Sequence, residues 1–267
     1  MPKGDRVRQE AGHPDRRVKS RDVSASPEAR LEVQTGPTPR RHRLSRLLWG
    51  TPCATLLAVQ LAGVLLYPTM DEASGRLSGV SRSALGLFGI IVLFLAVIAV
   101  RRTPALTWIS GVLGLPLVVV TVAEGFNPGN DTITLWSGLL HALFYFYTAY
   151  GLVRYMFNDD KVTTDELFAT GAAFTILAWG FAYLYIAVQT IWPTSFIAYN
   201  DPAAPRSWFE LLYLSFTTLT STGLSDVTPV LPHARSVVMI EQVIGLMYVA
   251  FIVARLVGLQ NRSIRRG

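Results

Sequence analysis

Residues 207–226 read SWFELLYLSFTTLTSTGLSD, and they contain the two features that decide the fold. The first part, SWFELLYLSFTTL, is apolar and aromatic and predicts a helix of about twelve residues, which is too short to cross a bilayer. The second part, TSTGLSD, is rich in hydroxyl groups and contains one glycine. Because irregular backbone is tolerated at membrane depth only inside protein or beside water, the two parts together predict a re-entrant helix and loop.

The composition indicates an integral membrane protein. Of the 267 residues, 51% are hydrophobic and 16% are charged, which is more apolar and less charged than a typical soluble domain. We therefore predict an all-α membrane protein with six transmembrane helices, in which the re-entrant helix and loop lie between the last two. The six apolar segments cover approximately residues 47–67, 84–100, 105–123, 133–153, 167–191 and 234–259.

The chain divides into three predicted parts. Residues 1–43 are rich in Arg, Pro, Ser and Glu and show no apolar periodicity, which is typical of a disordered tail. Residues 44–160 contain the first four apolar segments, and residues 161–267 contain the last two with the re-entrant loop. The fourth segment carries only Arg154, at its end, whereas a voltage sensor needs several arginines along one helix. We therefore predict a tail, a four-span module that is not a voltage sensor, and a pore domain.

The distribution of charge predicts the orientation in the membrane. Residues 1–46 contain 12 Lys/Arg and 6 Asp/Glu, which accounts for the whole net charge of +6. Because Lys and Arg are enriched in cytoplasmic loops, six crossings place both termini in the cytoplasm, as a multi-pass protein of the plasma (inner) membrane. The tail shows neither a fold nor interleaved aromatic residues, so we expect it to lie near anionic lipid and not to bind nucleic acid.

The chemistry of the loop favours a path for cations. Small side chains allow backbone carbonyls and hydroxyls to face a common axis, and rings of such oxygens replace the water around a cation. The short helix that precedes the loop would direct its C-terminal partial negative charge toward the same place. One chain supplies one loop, so a closed ring of oxygens requires several copies with cyclic symmetry.

The stretch SFTTLTSTGLSDVTP resembles the pore signature of potassium channels, T-L-T-T-V-G-Y-G-D-x-x-P, and the apolar segment 234–259 resembles the inner helix of bacterial six-span proteins with a two-transmembrane ion-channel domain. The resemblance covers about residues 162–259. It implies a homotetrameric cation channel that passes K⁺ as its permeant ion and needs no cofactor. The implied residues are Thr220, Ser221, Thr222, Gly223, Leu224 and Ser225 in the ion filter, Asp226 in filter support or at the outer mouth, and Gly245 as a gating hinge.

The sequence departs from this signature at two positions. Leu224 and Ser225 stand where potassium channels carry an aromatic residue and a second glycine. Leucine lacks the hydroxyl that could brace the outer filter, and serine adopts the positive φ of such filters only at a cost. The loop is therefore also similar to the single-glycine filters of Trk and Ktr potassium-uptake proteins. Na⁺ stays open as a second permeant ion, and so does a non-conducting or regulatory subunit that keeps the pore fold.

The remaining candidates are single residues. Glu241 lies inside the last span, where a carboxyl group is a functional candidate; it either faces the ion cavity or hydrogen-bonds behind the pore helix. His141 is predicted to be packed and hydrogen-bonded, and Arg235 and Arg255 are predicted to snorkel to the interface.

Two more predictions come from sequence spacing. Thr163 and Glu166 have capping-box spacing and predict the start of the fifth span.

The spans contain no His/Asp or Cys/His spacing of the kind that catalysis needs, and the lone Cys53 excludes a cysteine-based zinc site. We therefore predict that the protein is not an enzyme and holds no metal besides its permeant cations.

Overall fold

The computed structural model describes residues 51–76, 104–127, 129–157 and 163–264. The predicted disordered tail and the second apolar segment, 84–100, lie outside these residues. The described part of the chain is helical except for two strands of three residues each. The elements in order are α1 (Pro52–Arg76), α2 (Pro104–Phe126), α3 (Asp131–Met156), α4 (Thr164–Ile191), β1 (Phe196–Ala198), α5 (Trp208–Leu219), β2 (Val227–Pro229) and α6 (Pro232–Ile264).

Three helices in the described ranges are long and apolar enough to cross a membrane. Their apolar windows are Pro52–Thr69 in α1, Thr164–Ile191 in α4 and Pro232–Arg255 in α6, while α2 contains a shorter apolar stretch, Val112–Phe126. Helix α3 has the length but is less hydrophobic, because it carries four tyrosines and a histidine within its 26 residues. The long apolar helices support a membrane protein, and the count of six spans remains a prediction.

Side-chain contacts give the direction of each helix relative to α4. At the start of α1, the Cys53 N–H donates to Asp165 Oδ1 at 3.1 Å, and further along Leu57 packs against Gly171. At the end of α3, the Tyr155 hydroxyl donates to Asp165 Oδ2 at 3.3 Å. Helix α1 is therefore parallel to α4, and α3 is antiparallel to it.

Helices α4 and α6 form an antiparallel pair with side-chain contacts toward both ends. At one end Trp192 stacks on His233 with ring centroids 4.0 Å apart. Toward the other end the Tyr248 hydroxyl donates to the Thr170 carbonyl at 2.6 Å. Strands β1 and β2 pair antiparallel, with Ile197 opposite Thr228. The pairing connects the segment before α5 with the segment that follows the loop.

Only half of the predicted capping box forms at the start of α4. The Thr163 hydroxyl accepts from the Glu166 N–H at 3.2 Å, as a capping residue should. The Glu166 side chain instead accepts from Arg255 Nη2 of α6 at 3.0 Å. The Arg255 side chain is only 10% exposed and its guanidinium lies 4.9 Å from the ring centre of Phe157. The prediction that Arg255 snorkels was therefore wrong, because a buried partner 89 residues away binds it.

The ion pair between Glu166 and Arg255 carries a testable expectation for stability. Arg255→Met should lower the free energy of unfolding by about 3–5 kcal/mol, because it leaves the Glu166 carboxylate buried without a partner. Denaturation of the purified protein in micelles would measure the change. The matched control is Arg235→Met, which removes an exposed guanidinium at the other end of α6 and should change stability by less than about 0.5 kcal/mol. Equal losses for the two variants would contradict the assignment.

An aromatic cluster packs the start of α5 against α1 and α4. The Trp208 ring lies 5.4 Å from Tyr67 and from Trp179 and 5.7 Å from Tyr183, measured between ring centroids. Tyr183 also stacks on His141 at 4.2 Å. His141 Nδ1 lies 2.8 Å from the Ser137 carbonyl, and the side chain is buried, so the prediction of a packed and hydrogen-bonded histidine is confirmed.

Candidate ion-conduction loop

The short helix α5 begins at a complete capping box. The Ser207 hydroxyl accepts from the Glu210 N–H at 3.3 Å, and the Glu210 carboxylate accepts from the Ser207 N–H at 2.7 Å. These two bonds satisfy N–H groups that a helix start otherwise leaves free. The helix runs for 12 residues, which confirms the prediction of a helix too short to cross a bilayer.

Arg206 fixes the chain that leads into α5. Its guanidinium donates to Glu210 Oε1 at 3.2 Å and to the Asp201 carbonyl at 2.6 Å. Its backbone N–H and carbonyl both bind the Gln189 side chain of α4, each at 2.8 Å. Sequence reasoning missed this buried arginine, although a lone cation in an otherwise apolar and acidic segment was a signal that could have found it.

The loop after α5 turns its backbone donors back onto the helix. The four consecutive N–H groups of residues 220–223 donate to the last carbonyl oxygens of α5 at distances from 2.9 to 3.2 Å. The Thr217 carbonyl accepts two of them. Because a helix end leaves its last carbonyls without partners, the loop acts as the C-terminal cap of α5.

The side-chain hydroxyls of Thr220 and Thr222 also donate to carbonyl oxygens of α5. Thr220 Oγ1 donates to the Phe216 carbonyl at 2.7 Å, and Thr222 Oγ1 donates to the Thr217 carbonyl at 3.3 Å. The two hydroxyl oxygens lie 3.0 Å apart. Within the described ranges, the carbonyl oxygens of residues 220–223 accept no hydrogen bond. The loop therefore uses its donors on α5 and leaves its acceptors available, which is the arrangement that a cation needs.

Two residues of the loop have left-handed backbone conformations. Ser221 has φ 58° and Gly223 has φ 65°. A Cβ at Gly223 would meet nothing within 4 Å, so backbone conformation and not space favours glycine there. A non-glycine residue in this conformation costs roughly 1–2 kcal/mol, so Ser221 is strained.

Ser225 does not have the conformation that the sequence predicted for it. It is not among the described residues with positive φ, and its hydroxyl accepts from the Val227 N–H at 3.1 Å in the turn before β2. The expectation that Ser225 carries the cost of a missing glycine was therefore wrong. That strain falls on Ser221, four residues earlier, where the loop first leaves α5.

Leu224 follows Gly223 in the loop and is held by α5. Its side chain is 74% exposed, and its carbonyl accepts from the Tyr213 hydroxyl of α5 at 3.2 Å. Tyr213 thus braces the loop, a role that the sequence assigned to no residue. Asp226 is exposed and forms no hydrogen bond with the described part of this chain. Both predicted roles of Asp226, at the outer mouth and in filter support, stay predictions.

A comparison with protein families tests the resemblance directly. Residues 171–259 match the family model of an ion channel. The matched family has the two-transmembrane pore of potassium-channel type. The match extends from within α4 to within α6, so it contains α5 and the loop; residues 171–259 are called the matched segment below. Neither the curated proteins nor the solved structures gave a significant match.

Glu241 lies behind α5 in the matched segment. Its side chain is 0% exposed, and its two carboxylate oxygens accept from the hydroxyls of Tyr185 in α4 and Ser215 in α5. Of the two alternatives that the sequence left open, the structure supports hydrogen bonding behind the pore helix. No three His, Cys, Asp or Glu side chains in the described part form a group that could hold a metal ion.

Gly245 has a packing role that the sequence did not predict. A Cβ at this position would lie 2.8 Å from Leu219 Cα and 3.0 Å from its carbonyl carbon, and closer still to its carbonyl oxygen. Only glycine allows α6 to approach the last residue of α5 so closely. Helix α6 is continuous through Gly245, and a hinge at this position stays a prediction.

Proposed function

We propose that four copies of the chain form a channel for monovalent cations, with K⁺ as the principal permeant ion. The proposal rests on the different hydrogen bonding of the backbone N–H groups and the carbonyl oxygens in residues 220–223. Their N–H groups are used on α5, whereas their carbonyl oxygens are available. Four such loops around one axis would supply rings of oxygens in place of the hydration water of a cation.

The charges around the loop favour a cation over an anion. Residues 207–234 contain no Lys or Arg, whereas Asp226 follows the loop directly. Helix α5 ends at the loop, and a helix C-terminus carries a partial negative charge. The lack of Lys and Arg in residues 207–234 and the dipole of α5 therefore both favour a cation at the loop.

Assembly follows from the position of the loop in one chain. Residues 220–224 are exposed, although Leu219 and Val227 on either side of the loop are buried. One chain covers only the side of the loop that faces α5. A closed ring requires further copies, and a homotetramer in a lipid bilayer agrees with the pore type of the matched family.

The degree of selection between K⁺ and Na⁺ depends on the outer end of the loop. The Leu224 carbonyl accepts from the Tyr213 hydroxyl and the Ser225 hydroxyl accepts from the Val227 N–H, so each of these oxygens has one lone pair fewer to offer an ion. The proposed ion path therefore relies mainly on the carbonyl oxygens of residues 220–223, with weaker binding at Leu224 and Ser225. Weaker binding there favours a weaker preference for K⁺, with Na⁺ as a second permeant ion.

Flux through reconstituted liposomes tests the proposal. We expect the full-length protein to dissipate a K⁺ gradient much faster than protein-free liposomes do, and a Na⁺ gradient more slowly. Cross-linking in the same liposomes should give a tetramer. A tetramer that passes neither ion would contradict the proposal and favour the non-conducting subunit.

A further inference from the structure

Two contacts, one helical turn apart, fix α5 to α6. Ser215 of α5 donates to Glu241 of α6, and four residues later on each helix Leu219 meets Gly245. Residues four apart lie on the same face of a helix. The two helices therefore meet along one line, with a polar contact at one point and a backbone contact at the next.

The carboxyl group of Glu241 joins three helices of the matched segment. Oε1 accepts from Ser215 in α5, and Oε2 accepts from Tyr185 in α4. All three side chains are 0% exposed, so water does not replace a lost bond easily. Loss of either partner would leave a buried polar group unsatisfied, which costs free energy. The two hydrogen bonds therefore hold α4, α5 and α6 together at Glu241.

The last turn of α5 carries the loop. The Thr217 carbonyl, which accepts from the N–H groups of residues 222 and 223, lies two residues after Ser215. Leu219, which contacts Gly245, directly precedes Thr220. The position of the loop oxygens is thus fixed by a turn of helix whose own position depends on Glu241 and Gly245.

We propose that Glu241 is a positioning residue for ion selection, which holds the loop at the spacing that favours K⁺ over Na⁺. The inference rests on the proposed channel function and adds a determinant of selectivity outside the loop itself. Glu241 acts through Ser215 and the end of α5 and does not touch the ion. Because a filter selects ions by the number and spacing of its oxygens, a displaced α5 changes the selection.

Removal of single hydroxyl groups tests this role without removal of Glu241. Ser215→Ala and Tyr185→Phe each delete one donor and leave the helix surfaces nearly unchanged. We expect each to lower the K⁺/Na⁺ permeability ratio, measured from reversal potentials in planar bilayers, by at least about fivefold, the factor that corresponds to one lost hydrogen bond, because each of the four chains loses that bond. Glu241→Gln keeps an acceptor oxygen and should retain more of the ratio than Glu241→Leu.

Two matched variants control for the loss of a hydroxyl. Ser236→Ala removes an exposed hydroxyl of α6 that binds only within its own helix, and Tyr150→Phe removes an exposed one of α3. Both should keep the wild-type ratio, and melting temperatures check that all variants fold.

The outcomes separate this inference from the channel itself. Variants that melt at lower temperature but keep the wild-type ratio would show a merely structural Glu241 and overturn the inference alone. A wild-type ratio of one would overturn it as well, since no selection would then exist. Wild-type protein without flux of either ion would overturn the proposed function and the inference together.

Discussion

Gly223→Ala is expected to abolish cation flux through reconstituted liposomes. Gly223 has φ 65°, and a side chain in this conformation costs roughly 1–2 kcal/mol in each chain. Four chains around one axis would multiply that cost by four, in a loop where Ser221 is already strained. Relaxation of the backbone would turn the Gly223 N–H away from the Thr217 carbonyl and displace the oxygens beside it.

Gly129→Ala is the matched control for this prediction. Gly129 also has positive φ, 91°, and also has open space around its Cα, but it lies in the turn between α2 and α3. The substitution imposes the same kind of strain away from the loop, so it should lower stability and preserve flux. If Gly223→Ala conducted as well as Gly129→Ala, the assignment of the conduction loop would be wrong.

The second large effect is expected at Gly245. Alanine would place its Cβ against backbone atoms of Leu219, which cannot rotate away as a side chain could. Helices α5 and α6 would have to separate, and overpacking of this kind costs about 1–3 kcal/mol. We therefore expect Gly245→Ala to lower both the free energy of unfolding and the K⁺ flux.

Gly114→Ala controls for the general effect of alanine in an apolar helix. Gly114 lies inside α2 with nothing within 4 Å of its added Cβ, so alanine should be neutral or stabilise by up to about 1 kcal/mol. The measurement also separates packing from a hinge. Loss of flux at Gly245→Ala with unchanged stability would favour the hinge and contradict the packing role.

Local signals were sufficient to predict the architecture of the loop. The apolar run 208–219 and the hydroxyl-rich residues that follow it predicted a short helix and a loop, which form through contacts between near neighbours, whereas the capping of α5 by that loop was not predicted. The family match over residues 171–259 supports the same interpretation. These features depend on few residues in one stretch, which is why the sequence alone was enough.

Contacts between distant residues were not predictable in the same way. Spacing assigned Glu166 to its own helix cap, but a buried arginine competes better for a carboxylate than a backbone N–H does. The hydroxyls of Tyr213 and Ser225 likewise have partners that depend on how the loop folds over α5.

For another reason, the sequence could not decide whether Glu241 faces the ion cavity or lies behind the pore helix. Helix α6 is apolar on nearly every side in sequence, so no amphipathic pattern indicates which face packs against protein. One signal was present. Gly245 follows Glu241 by four residues, and a small residue and a buried acid on one face indicate close contact with another helix.

The adjacent residues Asp165 and Glu166 connect helices from opposite ends of the chain. Asp165 accepts from the start of α1 and the end of α3, and Glu166 accepts from Arg255 near the end of α6. A single peptide unit, with Cα atoms about 3.8 Å apart, therefore separates the residue that binds α1 and α3 from the residue that binds α6. Contacts from α1, α3 and α6 therefore all converge on the first turn of α4.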